Sequence, residues 1–189
     1  YDAPTSKVVL TDAEQAWIKT HPEIHLGVDK NWTPFVKLQG NGDIVGIEPD
    51  LLARIKALTG ANIHLVLGNW AEIVTQAEQG ELDGLAMSAA HPERAERFLF
   101  STSHYSISHF VYAPSNTATT LRSMEDLAGK RVGLTAGNLA EKKLLAKWPK
   151  IIPVPLGSGR ELAVALMNHY IDAAVSDITL LRTIRDELL

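Results

Sequence analysis

Polar side chains stand at the ends of several short apolar strands that the sequence predicts. Asp29 follows the first of these strands, Ser88 closes another, and Asn138 and Asp177 follow strands of the second half. Ligands bind at the carboxyl ends of strands in open α/β sheets, where polar side chains and helix N-termini meet. Gly137 and Asn138 also begin a predicted helix, whose unpaired backbone N–H groups attract anions, although Asn138 is equally a simple helix cap. We therefore expect these residues to bind a small molecule.

Catalytic and metal-binding patterns are not found in the sequence. His104 and His109 are five positions apart, which does not suit one face of a strand, and no carboxylate accompanies them at ligand spacing. Ser158 lies directly between Gly157 and Gly159, so it lacks the glycines two positions away on each side, and the preceding strand, that a nucleophile elbow needs; it is better interpreted as a helix cap. Cys is absent, and no phosphate-binding Gly-rich loop or acid–base carboxylate pair stands out. We therefore expect a binding domain with no cofactor and no metal.

Two similar halves are indicated by repeated local patterns. Residues 82–88 (LDGLAMS) and 171–177 (IDAAVSD) each combine an acidic residue, a short apolar strand and a polar end. Residues 26–29 and 132–135 form a second pair of similar segments. We expect residues 26–28 and 132–134 to be central parallel strands of two separate sheets, because both are short apolar runs. Two such lobes would face each other across a cleft.

The remaining elements follow from caps, turns and periodicity. Thr11 and Glu14 form a capping box for a helix to about Thr20, and Gly60 ends a helix in which Pro49 suits the first position. Residues 31–35 are expected to be a loop, and Glu48 either lines the cleft or caps a helix. Further predicted elements are a hairpin over 35–47, strands at 24–28, 63–67, 85–88, 108–113, 131–134, 151–154 and 171–175, and helices at 138–147, 159–169 and 178–188.

Composition restricts the class of partner. The chain of 189 residues is 46% hydrophobic with a formal net charge of −4, which is ordinary for a globular protein. It has no basic stripe, so nucleic acid is not an expected partner. It has no apolar run that could cross a bilayer, so we expect membrane attachment only through segments outside this sequence.

A series of short motifs follows a recognisable order along the chain. These motifs are residues 27–29 with 32–35, 46–51, Trp70, 80–84, 92–94, Phe100–Ser101, Tyr105, 126–133, Gly137 and 172–177. From about Ile24 onward this order resembles that of the family 3 extracellular solute-binding proteins, which have the two-lobed type II periplasmic-binding, or Venus flytrap, fold. The resemblance implies an α/β protein whose lobes are mostly parallel sheets flanked by helices, located in the periplasm.

The resemblance assigns roles to four residues. Arg94 occupies the position that clamps a ligand carboxylate through its bidentate guanidinium, the alternative being an ordinary surface arginine like Arg97. Asp177 matches the aspartate that holds a ligand ammonium group, although it also suits a helix cap. Trp32 and Trp70 lie where the family has aromatic walls, and core packing is the alternative for Trp70.

Three positions depart from the amino-acid-binding members. The hydroxyl positions that flank the ligand in those members fall on Met87 and Ala89, and a helix-start threonine is replaced by Leu139. Ser88 remains, unless it points to the other face of its strand. The resemblance therefore still implies an amino acid or organic acid as ligand. It supports a ligand carboxylate more strongly than a ligand amino group. It also leaves open a domain that signals without a ligand.

The first residues narrow the functional class. Residues 1–23 resemble the lead-in helix of flytrap domains fused to histidine kinases or diguanylate cyclases, the alternative being a cap on the first lobe. We expect lobe 1 at 24–113 and lobe 2 at 114–189, with the family's return segment to lobe 1 absent from this sequence. We expect the chain to be the periplasmic ligand-sensing domain of a transmembrane receptor. A receptor homodimer is compatible with this function. The alternatives are the soluble binding component of an importer and a cyclohexadienyl dehydratase-like enzyme.

Overall fold

The chain folds as an α/β protein with two separate, mostly parallel sheets. The computed structural model describes residues 8–118, 120–138, 143 and 146–188. Strands β1–β10 are Ile24–Asp29, Asn31–Trp32, Val36–Leu38, Ile44–Val45, Ile63–Gly68, Gly84–Leu85, Phe110–Tyr112, Arg131–Thr135, Ile152–Leu156 and Ala173–Ser176. Helices α1–α7 are Asp12–Thr20, Ile47–Thr59, Trp70–Glu78, Pro92–Ala95, Ser115–Ala118, Gly159–Met167 and Thr179–Thr183, with a 3₁₀ turn at Met124–Leu127 and a π-helical turn at Ile184–Leu188.

The first lobe is built on a parallel sheet with β1 at its centre. β1 pairs with β5 on one side, from Ile24 opposite Ile63, and with β6 on the other, where Leu26 lies opposite Gly84. Val28 on β1 is fully buried, because a central strand is covered on both faces by helices and loops. A small antiparallel sheet of β2, β3 and β4 packs beside it.

The second lobe has the strand order β7-β10-β8-β9. β8 pairs in parallel with both β9 and β10, and Val132 and Leu134 on β8 are almost fully buried. Helix α6 and Ile171 form the main core on this sheet, where Leu162 is fully buried. The prediction of two separate sheets centred on residues 26–28 and 132–134 is therefore confirmed.

One acidic residue has the same structural role in both halves. The Asp83 carboxylate accepts a hydrogen bond of 2.7 Å from the backbone N–H of His25 at the start of β1. The Asp172 carboxylate accepts one of 2.8 Å from the N–H of Arg131 at the start of β8, and it also pairs with the Arg131 guanidinium. The repeated acidic residue thus fixes the beginning of each central strand.

Several boundaries differ from the sequence prediction. Residues 31–32 were expected in a loop but form β2, because they pair in antiparallel fashion with Lys37 and Val36 of β3. The strand predicted at 85–88 ends at Leu85, and Met87 has a left-handed φ of 55° that cannot continue an extended chain. Pro49 is the third residue of α2, since that helix begins at Ile47.

Other predictions about helices have mixed outcomes. The Thr11–Glu14 capping box and the left-handed Gly60 that ends α2 are both confirmed. The helix predicted at 138–147 falls mostly outside the described residues, and so does Leu139. No helix among the described residues is both long and apolar enough to cross a membrane.

The chain passes from the first sheet to the second before the predicted lobe boundary. β7 pairs in antiparallel fashion with β10, where Val111 lies opposite Val175. β7 is therefore a strand of the second sheet, although the sequence prediction placed residues 110–112 in lobe 1. The division at residue 113 stays a prediction, and the sheet pairing favours a crossover along residues 99–109. We call residues 99–109 the crossover segment.

Candidate functional site

A cavity of about 300 Å³ lies between the lobes, at the carboxyl ends of β1, β8 and β10. Both lobes contribute to its wall, as the carboxyl-end rule for α/β sheets predicts. All of the residues that the sequence singled out for ligand binding lie on this cavity, namely Asp29, Trp32, Trp70, Ser88, Arg94, Asn138 and Asp177.

Arg94 is the buried cation of the cavity. It lies on the short helix α4, and only 7% of it is exposed. Its Nη1 donates to Ser88 Oγ at 3.2 Å, and its Nη2 donates to the backbone carbonyl of Gly137 in lobe 2 at 3.1 Å. The Arg94 guanidinium also lies 5.1 Å from the centre of the Trp70 ring, within cation–π range. Ser88 therefore faces the cavity, and these contacts fix the plane of the guanidinium.

The charge of Arg94 is not neutralised within the described part of the chain. No carboxylate among the described residues lies within salt-bridge distance of its guanidinium. Burial lowers the pKa of Arg94, and the Glu78 carboxylate partly offsets that effect. Arginine nevertheless stays protonated in proteins, so the wall presents a buried positive charge to the cavity. Arg97, by contrast, is exposed.

Asp177 connects the two lobes. It is 7% exposed, and its Oδ1 accepts a hydrogen bond of 2.7 Å from the N–H of Thr179 at the start of α7. Its Oδ2 accepts one of 2.8 Å from the indole Nε1 of Trp32 in lobe 1. The Tyr112 hydroxyl donates to the Asp177 backbone carbonyl at 2.8 Å. Ile178, not Asp177, is the N-cap of α7, but the Asp177 carboxylate bonds the first N–H of that helix and also lines the cavity.

The interlobe bond of Trp32 should stabilise the contact between the lobes. Trp32→Phe keeps an aromatic ring but removes the Nε1 donor to Asp177. A hydrogen bond to a charged group contributes about 1.5–3 kcal/mol, so we expect the population with separated lobes to rise about tenfold or more. Small-angle X-ray scattering of the ligand-free protein should show a larger radius of gyration. Trp17→Phe, on the exposed face of α1, is the matched control, and identical scattering curves for the two variants would contradict the role of this bond.

Trp32 and Tyr105 line the cavity, and both rings pack against Phe35, which does not itself reach it. The ring centres of Trp32 and Phe35 are 5.2 Å apart, and those of Phe35 and Tyr105 are 5.6 Å apart. Trp70, on the other side, is 9% exposed and still lines the cavity, so it is both a core residue and a wall residue. The two interpretations that the sequence left open for Trp70 are therefore compatible.

The structure adds cavity residues that sequence reasoning missed. Met87 and Ala89 line the cavity without hydroxyl groups, but Ser101, Ser103, Thr135, Ser176 and Thr179 also reach it from other segments. The crossover segment contributes His104, Tyr105 and His109 as well. The motif residues 100–101 and 105 were the available signal for this segment. The described residues contain no cluster of three or more metal-binding side chains.

Glu48 is not a helix cap. Gly46 occupies the cap position of α2, whereas the Glu48 side chain is buried and its Oε2 has no hydrogen-bond partner among the described residues. The His104 Nε2 lies 4.0 Å from that oxygen. Burial raises the pKa of Glu48, and His104 partly offsets the rise. Glu48 itself does not line the cavity, whereas Asp29 does.

Comparison with known proteins identifies the family. Residues 24–185 match the model for bacterial extracellular solute-binding proteins, family 3. A probable histidine-binding protein of Campylobacter jejuni is 27% identical over 155 residues, which are 82% of this chain and 59% of that protein. This chain therefore spans about three-fifths of the length of that relative.

Two solved structures have the same fold. Arginine-bound ArgBP from T. maritima superposes with a TM-score of 0.78 at 20% identity, covering 92% of this chain and 82% of that one. The periplasmic domain of BvgS from B. pertussis gives a TM-score of 0.80 at 19% identity, covering 96% of this chain and 36% of that one. These superpositions confirm the predicted two-lobed periplasmic-binding fold, and the family match confirms the predicted location outside the cytoplasm. The chain belongs to family 3 of the bacterial extracellular solute-binding proteins.

Proposed function

We propose that the interlobe cavity binds an amino acid without transforming it. The observation that carries this proposal is Arg94, a buried cation that faces the cavity and has no carboxylate partner among the described residues. An uncompensated buried charge is costly, and a ligand carboxylate would provide the missing anion through bidentate hydrogen bonds. Asp177, on the opposite lobe, would accept from the ligand ammonium group.

A cationic side chain would suit the aromatic residues that line the cavity. Trp32, Trp70 and Tyr105 lie on its wall, and the face of an aromatic ring attracts a cation such as arginine or protonated histidine. The arginine-bound structure and the probable histidine-binding relative support the same class of ligand.

Thermal-shift screening with the twenty amino acids tests this proposal. A ligand at one hundred times its Kd stabilises the native state by about 2.7 kcal/mol, which corresponds to about 5–10 °C in Tm for a chain of this size. We expect the largest shift from a cationic amino acid and little shift from its decarboxylated analogue. If none of the twenty amino acids raises Tm, the proposed function is wrong.

We further propose that the domain senses its ligand for a membrane receptor. The observation that favours sensing is α1, in which none of the nine residues is buried and Trp17 is half exposed. A helix that only capped lobe 1 would bury one face. Closure of the lobes around a ligand would then bias the receptor through the difference in affinity between its states. A receptor homodimer is compatible with this arrangement and stays a prediction.

A soluble importer component is the second candidate, because the histidine-binding relative matches along 82% of this chain. The complete reading frame separates the two candidates. A transmembrane segment followed by a kinase or cyclase supports sensing, and a frame that ends with a solute-binding domain supports transport.

A further inference from the structure

A buried carboxylate lies close to the cavity but outside the ligand-binding set described above. Glu48, in the first turn of α2, is only 3% exposed, and its Oε2 has no hydrogen-bond partner among the described residues. Isolated buried carboxylates are expensive, so such a group normally takes up a proton or faces a cation. The nearest candidate is the His104 imidazole, whose Nε2 lies 4.0 Å from Glu48 Oε2.

His104 links this carboxylate to the wall of the cavity. Its side chain is about half exposed and lines the cavity, and its ring lies 4.5 Å from that of Tyr105. Tyr105 packs edge-on against Phe35, which in turn packs against Trp32. We call Trp32, His104 and Tyr105, which line the cavity, the aromatic wall. A change in the charge of Glu48 or His104 therefore changes the electrostatic potential at this wall.

We propose that Glu48 and His104 act as an electrostatic pair that sets the charge of the aromatic wall, so that the pair selects between cationic and neutral side chains of the bound amino acid. This inference rests on the proposed function. His104 would contact the ligand, and Glu48 would be a positioning residue that acts through it.

The sign of the selection follows from counting protons on the pair. With two protons the pair carries +1, with one proton it is neutral, and with none it carries −1. Burial raises the pKa of Glu48, so the change to the charged form lies at higher pH than for an exposed glutamate. Tyr105 also faces Glu48, and Asp29, Arg94, His109 and Asp177 surround the same cavity. With Glu48 ionised and His104 neutral, the wall is negative and should favour a cationic side chain.

The first experiment tests the pair without any ligand. The ¹³C carboxyl resonance of Glu48 is followed against pH in the wild type, in His104→Asn and in His109→Asn. Removing the His104 cation should raise the pKa of Glu48 further, because that cation now lowers it. His109→Asn changes another cavity histidine of the same segment and should leave the Glu48 titration where it is. An unchanged Glu48 titration in His104→Asn would overturn the pairing.

The second experiment tests selection with L-arginine and L-glutamine as probes. Their Kd values are measured by calorimetry at pH 8.5 for the wild type and for Glu48→Gln. Loss of the Glu48 charge should reduce the preference for arginine over glutamine about tenfold, which corresponds to about 1.4 kcal/mol. A purely structural role for Glu48 would weaken both probes equally and leave the ratio unchanged, which would overturn the selector alone. If neither probe binds the wild type although another amino acid raises its Tm, the selector alone is overturned; if no amino acid binds, the selector fails together with the proposed function.

Discussion

Replacing Arg94 by alanine should weaken binding of the cognate amino acid by about 2–5 kcal/mol, or about 30-fold to several thousand-fold in Kd. The reason is that Arg94 is buried on the cavity wall and no carboxylate among the described residues neutralises it. In Arg94→Ala the ligand carboxylate therefore loses its desolvated partner. Isothermal titration calorimetry of the wild type and the variant measures this loss.

Two further variants separate the loss of the Arg94 guanidinium from the general effect of replacing an arginine. Arg97→Ala removes an exposed arginine three positions away and should change the affinity by less than about 1 kcal/mol. Arg94→Lys keeps the charge but not the bidentate fork, so its affinity should lie between those of the wild type and Arg94→Ala. Equal affinity in Arg94→Ala and the wild type would show that the carboxylate binds elsewhere.

Gly46→Ala should lower the free energy of unfolding by about 3 kcal/mol or more. Gly46 has φ of +135° and ψ of −174°, a region that is essentially restricted to glycine, and occupying it strains other residues by about 1–3 kcal/mol. A Cβ at this position would also lie within 2.8 Å of the Pro34 carbonyl oxygen, which is backbone and cannot rotate away. Chemical denaturation measures the loss.

Gly60→Ala is the matched control for that variant. Gly60 also has a left-handed φ, of +79°, but a Cβ there would meet no atom within 4 Å. Gly60→Ala should lower the free energy of unfolding by about 1–2 kcal/mol, which is the cost of the left-handed backbone conformation alone. Equal losses in the two variants would mean that the close approach at Gly46 does not constrain the turn that carries Phe35 and Glu48.

Local sequence patterns were sufficient to predict the elements and the edge of the sheets where the cavity forms. The capping box at Thr11 depends on contacts three residues apart, and the central strands are recognised by short apolar runs. Arg94 and Asp177 could be proposed because each stands in a recognisable motif. Their ligand contacts stay predictions, since the geometry shows only that both reach the same cavity.

Contacts between distant segments could not be predicted in this way. Trp32 donates to a carboxylate 145 positions away, and nothing in either local sequence indicates that pairing. Glu48 looked like a capping residue because it lies in the first turn of α2, and only the packing shows that its carboxylate is buried beside His104. The crossover segment has no periodic pattern, so its contribution to the cavity depends on how the two lobes meet.

The most direct test of the carboxylate clamp compares L-arginine with L-argininamide by calorimetry. The two molecules share the side chain and the α-ammonium group and differ in the carboxylate that Arg94 is proposed to bind. L-arginine should bind, and the amide should bind at least about 30-fold more weakly, as expected when one partner of a buried charge pair is removed. Equal affinity for the acid and the amide would contradict the clamp, and so would a Kd for arginine that is the same in Arg94→Ala.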